Sequence, residues 1–338
     1  RVEMERLAEV RVPPTLTGVL QARLDSLPPE EKRLLQRASV VGRQFWGTVV
    51  AELASDKAEA AQADKLLNDV RNRELIFRRE RSVFEATDEY IFKDALLRDV
   101  TYETVLLKLR RVYHAQVARW LESTAGERIN EYLSLIARHY ELAGETAKAA
   151  DFLRRLGEES LNVGAFRDAV RAFERALALL PAVAHDQVQG TSTTVPDADL
   201  AERAMLLVNL GNSQNRVGDY LVAVQHLEKG LALARQANDP QAEIAALNRL
   251  AQVASEQGAY DKAQHHLDEV LVLAREQDDL ACAASALAML STIAWKWGDI
   301  EQAEECCHES MTIYRELGDR HKVSQLHNIL GILATLQE

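Results

Sequence analysis

The spacing of apolar residues changes twice along the chain, and each change marks a change of element. After Pro13-Pro14-Thr15-Leu16-Thr17, the residues Val19, Leu20, Leu24 and Leu27 recur on one helical stripe, and Pro28-Pro29-Glu30-Glu31 opens a second helix with proline and acid in its first turn. A third helix is predicted near 46–53 and a fourth over about 60–73, with Leu66, Leu67 and Val70 facing inward. The period then shortens: 75–79 and 84–92 are aromatic or β-branched and read as two strands. Helical spacing returns over 129–143 and 146–163, with Gly144 as the break between them.

Beyond that point the pattern repeats itself. Leu156-Gly157 is followed by Gly164-Ala165-Phe166, Ala169, Phe173, Ala176 and Pro181, and Leu210-Gly211 by Gly218-Asp219-Tyr220, Ala223 and Leu227. Leu250-Ala251 precedes Gly258-Ala259-Tyr260, Ala263 and Leu267; Leu290-Ser291 precedes Gly298-Asp299-Ile300, Ala303 and Cys307; Leu330-Gly331 opens one more copy. Small residues at Gly157, Gly211 and Ala251 let two helix backbones approach, and the glycine seven positions later ends the helix and turns the chain. Ala169, Ala223, Ala263 and Ala303 serve the second helix in the same way, with a bulky residue four positions on. Each unit is therefore predicted to be a helix hairpin.

These residues resemble the tetratricopeptide pattern of leucine-glycine on a first helix and alanine, aromatic, alanine, proline on a second. Copies from Leu210 onward stand 40 residues apart, against a usual spacing of about 34, which implies longer helices or connectors. A Gly/Ser/Thr/Pro/Asp-rich stretch at about 182–199 is predicted to be a mobile insert. The expected fold is mainly α: a winged-helix-like domain with flanking helices over 1–125, then a right-handed α-solenoid of tetratricopeptide-like hairpins over 126–338.

Two further stretches, VPPTLTGVLQARLDSLPPEEKRLLQRASVVGRQF and FKDALLRDVTYETVLLKLRRVYHAQVARWLE, resemble the segment that follows the nucleotide-binding domain in bacterial signal-transduction ATPases with numerous domains. Such ATPases occur in class III adenylyl or guanylyl cyclases, kinase-linked regulators and large transcriptional activators. The resemblance covers roughly 12–122 and implies an upstream ATPase domain of the same parent chain as a partner, with any output domain also elsewhere. It also implies that the winged-helix-like part acts as an intramolecular clamp. Arg1 in place of a starting Met, and a last helix over 325–338 with no partner after it, read as a piece of a longer protein.

Composition supports helix and narrows the chemistry. Of the 338 residues 47% are apolar and 27% charged, so the chain can bury a core. The net charge of −12 opposes contact with polyanions and makes nucleic acid an unfavoured partner. Three cysteines, Cys282, Cys306 and Cys307, suit a reducing compartment, no stretch approaches a continuous apolar run long enough for a membrane span, and a cytoplasmic location is expected.

Candidate chemistry is sparse. No glycine is followed by Lys-Ser or Lys-Thr, so a phosphate-cradling loop is absent, as are the G-x-S-x-G and H-E-x-x-H patterns. No catalytic residue, cofactor or metal is therefore assigned, and the chain is not expected to be an enzyme. Cys306-Cys307-His308 and His265-His266 are neighbours pointing about 100° apart on a helix and cannot converge on one ion. Lys65, Arg71, Arg73, Arg78, Arg79 and Arg81 would suit a DNA-reading winged helix, the alternative function, but Asp64, Asp69, Glu74 and Glu80 are interleaved. The favoured site is a concave groove on the first helices for a protein or peptide partner. The register assigns Asn212, Asn215, Arg216, Asn248, Gln252, Ser255, Trp295, Lys296 and Asn328 to it, with Trp295 as apolar anchor.

Overall fold

The computed structural model describes residues 14–85, 87–181 and 197–335. Most of the insert predicted at 182–199 lies outside them, but Asp197 already begins a helix, so the predicted range ran too far at its end. The chain divides into two compact units, 1–152 and 153–338.

The first unit contains α1 (Pro14–Asp25), α2 (Pro29–Val41), β1 (Gln44–Trp46), α3 (Gly47–Glu52), α4 (Lys57–Ala61), α5 (Ala63–Asn72), β2 (Ile76–Arg78), β3 (Glu89–Phe92), α6 (Ala95–Glu103), α7 (Leu107–Ala125) and α8 (Ile129–Ala143). Helix α9 (Thr146–Asn162) carries the division point. The strands form one antiparallel sheet in the order β1-β3-β2, with Phe45 opposite Tyr90 and Phe77 opposite Ile91.

Four local readings change. Strand β1 was not foreseen, because Phe45 and Trp46 look like the start of the helix that begins at Gly47; they are extended because β3 offers a free edge to pair. The expected helix over 60–73 is two helices meeting at Gln62, the first capped by Asp56, whose carboxylate accepts from the Glu59 amide at 2.8 Å. The strand read over 84–92 starts only at Glu89. Val19, assigned to the buried stripe of α1, is 63% exposed, while Leu24 is buried.

Buried polar groups in this unit are closely partnered. The Glu89 carboxylate accepts from Arg79 at 2.6 Å, from the Val83 amide at 3.0 Å and from Gln44. Burial alone would raise its pKa, but these donors outweigh burial and hold it below the usual range. His114 and His139 face each other, Nδ1 to Nδ1 at 2.9 Å, and His114 Nε2 lies 2.9 Å from the Tyr102 hydroxyl. His139 also bonds to the Val41 backbone. One neutral arrangement satisfies all four groups: Tyr102 donates to His114, His114 to His139, and His139 to the Val41 carbonyl. Burial, then Arg98, Arg138 and Arg110, lowers His114 to about 4. Burial, then His114, Arg138 and Arg98, lowers His139 to about 3.

The second unit is the expected run of hairpins. After α9 come α10 (Phe166–Leu179), α11 (Asp197–Val217), α12 (Tyr220–Gln236), α13 (Pro240–Glu256), α14 (Tyr260–Glu276), α15 (Leu280–Trp297), α16 (Ile300–Glu316) and α17 (Arg320–Thr335). Helices α12 to α14 are each 17 residues long, so the 40-residue period comes from long helices and not long connectors. Between hairpins, Asn238, Asp278 and Gly318 adopt positive φ at equivalent positions. The next residue caps the following helix: Asp239, Asp279 and Asp319 accept from the Ala242, Cys282 and Lys322 amides at 2.9–3.1 Å.

Within hairpins the small residues permit contact between backbones. A Cβ on Gly211 would lie 2.7 Å from Leu227 Cγ and 2.9 Å from the Ala223 carbonyl oxygen, and one on Gly157 would lie 2.5 Å from the Phe173 ring. At the equivalent place Ser291 donates its hydroxyl to the Ala303 carbonyl at 2.7 Å, so the one polar member is satisfied. Cys307 is fully buried at the packing position, Cys306 is half-buried and His308 is exposed. Burial first, then Glu309 and Glu305, pushes the Cys306 thiol up to about 11. Among the described residues α15 has the length and composition to cross a membrane, at mean hydropathy 1.3 over 18 residues. Its Ala and Leu content is spent on a face buried between α14 and α16.

Gly211→Ala is expected to cost about 1–3 kcal/mol, because the new methyl meets backbone and Leu227. Gly331→Ala, with nothing within 4 Å of its Cβ in a helix interior, is expected to gain about 0.5–1 kcal/mol; urea unfolding of both variants checks the register. The unfolded chain takes up protons at both imidazoles as pH falls through about 6.5, whereas the folded chain resists until about 4 and about 3. Their stabilising contribution is therefore complete above the unfolded pKa and is lost as pH falls from there. Calorimetric melting of the His114→Gln/His139→Asn double variant is expected to show a shallower pH dependence than the parent chain between pH about 6.5 and about 4, and an equal slope would contradict the neutral pair.

Candidate functional site

An opening of about 320 Å³ in the second unit lies across the first helices of three successive hairpins, α13, α15 and α17. It exists because long helices repeat the same register: Gln252 and Thr292 occupy one position, Glu256 and Lys296 another, and Met289 and Ile329 a third. Hairpin contacts use the Leu-small positions of each first helix, and the cleft is lined by neighbouring positions together with Ala251.

The cleft has an apolar floor and a polar rim. Ala251, Ala288, Met289, Ile293, Leu326 and Ile329 supply the floor, with Tyr314 reaching in from α16. Ser255, Ser285 and Gln325 stand at the rim with Lys296 and Lys322, which make no ion pair among the described residues. Glu256, the one carboxylate, is engaged: it accepts from Asn215 Nδ2 at 3.0 Å and Gln252 Nε2 at 2.9 Å. Arg249 in turn donates to Gln252 Oε1 at 3.1 Å, so the amide is oriented by partners on both sides. Thr292 donates to the Ala288 carbonyl of its own helix at 3.1 Å.

The nine residues assigned from the sequence do not all gather here. Gln252, Ser255 and Lys296 line the cleft. Asn215 is buried beside it and reaches it through Glu256, with its Oδ1 unpartnered. Asn212 and Asn248 are half-buried and Asn328 is exposed, all outside the lining. Arg216 is placed over the Phe166 ring at 5.0 Å, a stacking role. Trp295 is not the anchor at this cleft: it packs with Ile300, Ile329 and Leu330 around Ala294, Ala303 and Leu333, holding α15 to its neighbours. The Lys322, Gln325 and Met289 contributions were missed. Their only signal is position in the 40-residue period, which does not say how far successive helices are rotated.

Residues 184–336 match the family model described as the MalT-like TPR region. No curated protein matches the chain. Among solved structures, aspartyl phosphate phosphatase F from Bacillus subtilis aligns with 81% of this chain and 67% of its own, at TM-score 0.53 and 13% identity. The apo form of RapI aligns with 85% of this chain and 67% of its own, at TM-score 0.53 and 10% identity. A signal transduction ATPase with numerous domains carrying a tetratricopeptide repeat sensor, from Pyrococcus horikoshii, covers 92% of this chain and 54% of its own at 14% identity. Its TM-score is 0.30. The chain is mainly helical and contains a tetratricopeptide-type repeat region.

Proposed function

We propose that this chain is a non-catalytic, cytoplasmic regulatory part of a signal-transduction ATPase with numerous domains, and that its repeats sense a protein or peptide. The observation that carries the reading is the α13–α15–α17 cleft, where two lysines without ion pairs flank an apolar floor. That combination suits an extended segment offering a carboxylate beside an apolar side chain: the floor takes the apolar group and Lys296 or Lys322 takes the charge. Its titratable lining groups are Glu256, Tyr314 and the two lysines, and Glu256 is already engaged by two amides, which supports recognition over acid-base chemistry.

For the first unit the proposal is a winged-helix-like domain that serves the ATPase as a clamp. Helices α2, α3 and α5 with the β1-β3-β2 sheet support it. The alternative, duplex DNA recognition, is weakened by the pairing of its cations: Arg73 binds Glu31 at 2.8 Å, Arg78 binds Asp88 at 2.6 Å and Arg79 binds Glu89 at 2.6 Å.

Selection from a random peptide library on the whole chain is expected to enrich sequences with an acidic residue next to an apolar one. The Lys296→Glu/Lys322→Glu variant is expected to bind the selected peptides about tenfold or more weakly with unchanged helical content. Equal binding by that variant would remove the cleft as the site.

A further inference from the structure

The first unit holds a second cavity, of about 510 Å³, between the α2–β1 turn and helices α6, α7 and α8. Its charged lining is mostly cationic, Arg43, Arg98 and Arg138 against Asp99. Arg43 and Arg138 line it without a carboxylate partner among the described residues. Arg98 donates Nε to the Ser39 carbonyl at 2.7 Å and Nη1 to Asp99 at 2.9 Å, which fixes its guanidinium over the Tyr102 ring. Trp46 is 5% exposed, lines the cavity, and its indole N–H is buried with no acceptor.

The indole is not free to turn toward an acceptor elsewhere. Its ring is held by Trp120 at 5.3 Å and Phe84 at 5.1 Å between centroids. The two histidines at the cavity bond each other, Tyr102 and the Val41 backbone, so they offer it neither a charge nor a spare acceptor. Against three arginines stands one carboxylate, Asp99, already taken by Arg98. The cavity is a concentrated positive site in a chain whose net charge is −12.

We propose that this cavity binds a phosphate dianion, free or as a small phosphomonoester. Guanidinium groups match phosphate geometry with paired N–H donors. The excess of cations balances a dianion, and the volume falls in the range of about 300–1,000 Å³ usual for small-molecule sites, leaving room for a short carbon skeleton. The site is independent of the repeat cleft.

Calorimetric titration of the whole chain with inorganic phosphate, and separately with ribose 5-phosphate, tests the proposal. Saturable binding is expected, with acetate at the same concentration unable to compete. Tighter binding of ribose 5-phosphate than of phosphate identifies an esterified ligand, and equal or weaker binding identifies the free ion; both support the site. Arg43→Gln/Arg138→Gln is expected to weaken binding at least about tenfold, since each lost bond involves a charged group. No saturable binding up to about 10 mM, or a folded double arginine variant that binds as the parent does, would overturn the assignment.

Discussion

The close approach of paired helices at small residues is what the repeat unit depends on. A helix of 17 residues is marginal alone in water, so each one here is stable only by burying a stripe on its neighbour. At Gly157 a Cβ would collide with Phe173 and at Gly211 with Leu227 and the Ala223 carbonyl, while Ser291 at the equivalent place donates to the Ala303 carbonyl. Neighbouring positions on α13, α15 and α17, together with Ala251, line the candidate site.

The first unit solves a different problem. It is built from short elements, and aromatic rings fill the space they leave: Trp46, Phe84, Trp120 and Tyr132 stack or meet edge to face with centroids 5.1–5.4 Å apart. Its buried polar groups are arranged in directed chains, from Tyr102 through the two histidines to Val41, and around Glu89. Against that background the buried Trp46 N–H and Gln116 Oε1 are left without hydrogen-bond partners.

The two openings differ in the kind of ligand they can hold. The repeat cleft mixes a wide apolar floor with two mobile ammonium groups, which tolerates variety in a bound segment. The cavity in the first unit is lined by three arginines, of which Arg98 is fixed by two hydrogen bonds while Arg43 and Arg138 are exposed, which favours a compact anion. The carboxylates that line the two openings, Glu256 in the cleft and Asp99 in the cavity, are both engaged by neighbours.

The sequence by itself determined the hairpins, because a small residue where two backbones cross and a glycine that turns the chain are strictly local demands with fixed offsets. Gly211 with Ala223, Gly218 between them, and Cys307 as a packing residue were all legible in that way. The turns between hairpins were equally local, in the Asn238-Asp239 and Asp278-Asp279 pairs, though their signal is short. Only the tertiary structure decided which polar residues meet. Rotation of one helix against the next is set by side-chain packing over many residues, and it sent Trp295 into the stack while bringing Lys322 to face Lys296. The same holds for β1 and for the arginine cavity: a three-residue strand exists only because β3 has an edge to share, and Arg43, Arg98 and Arg138 come together only through folding.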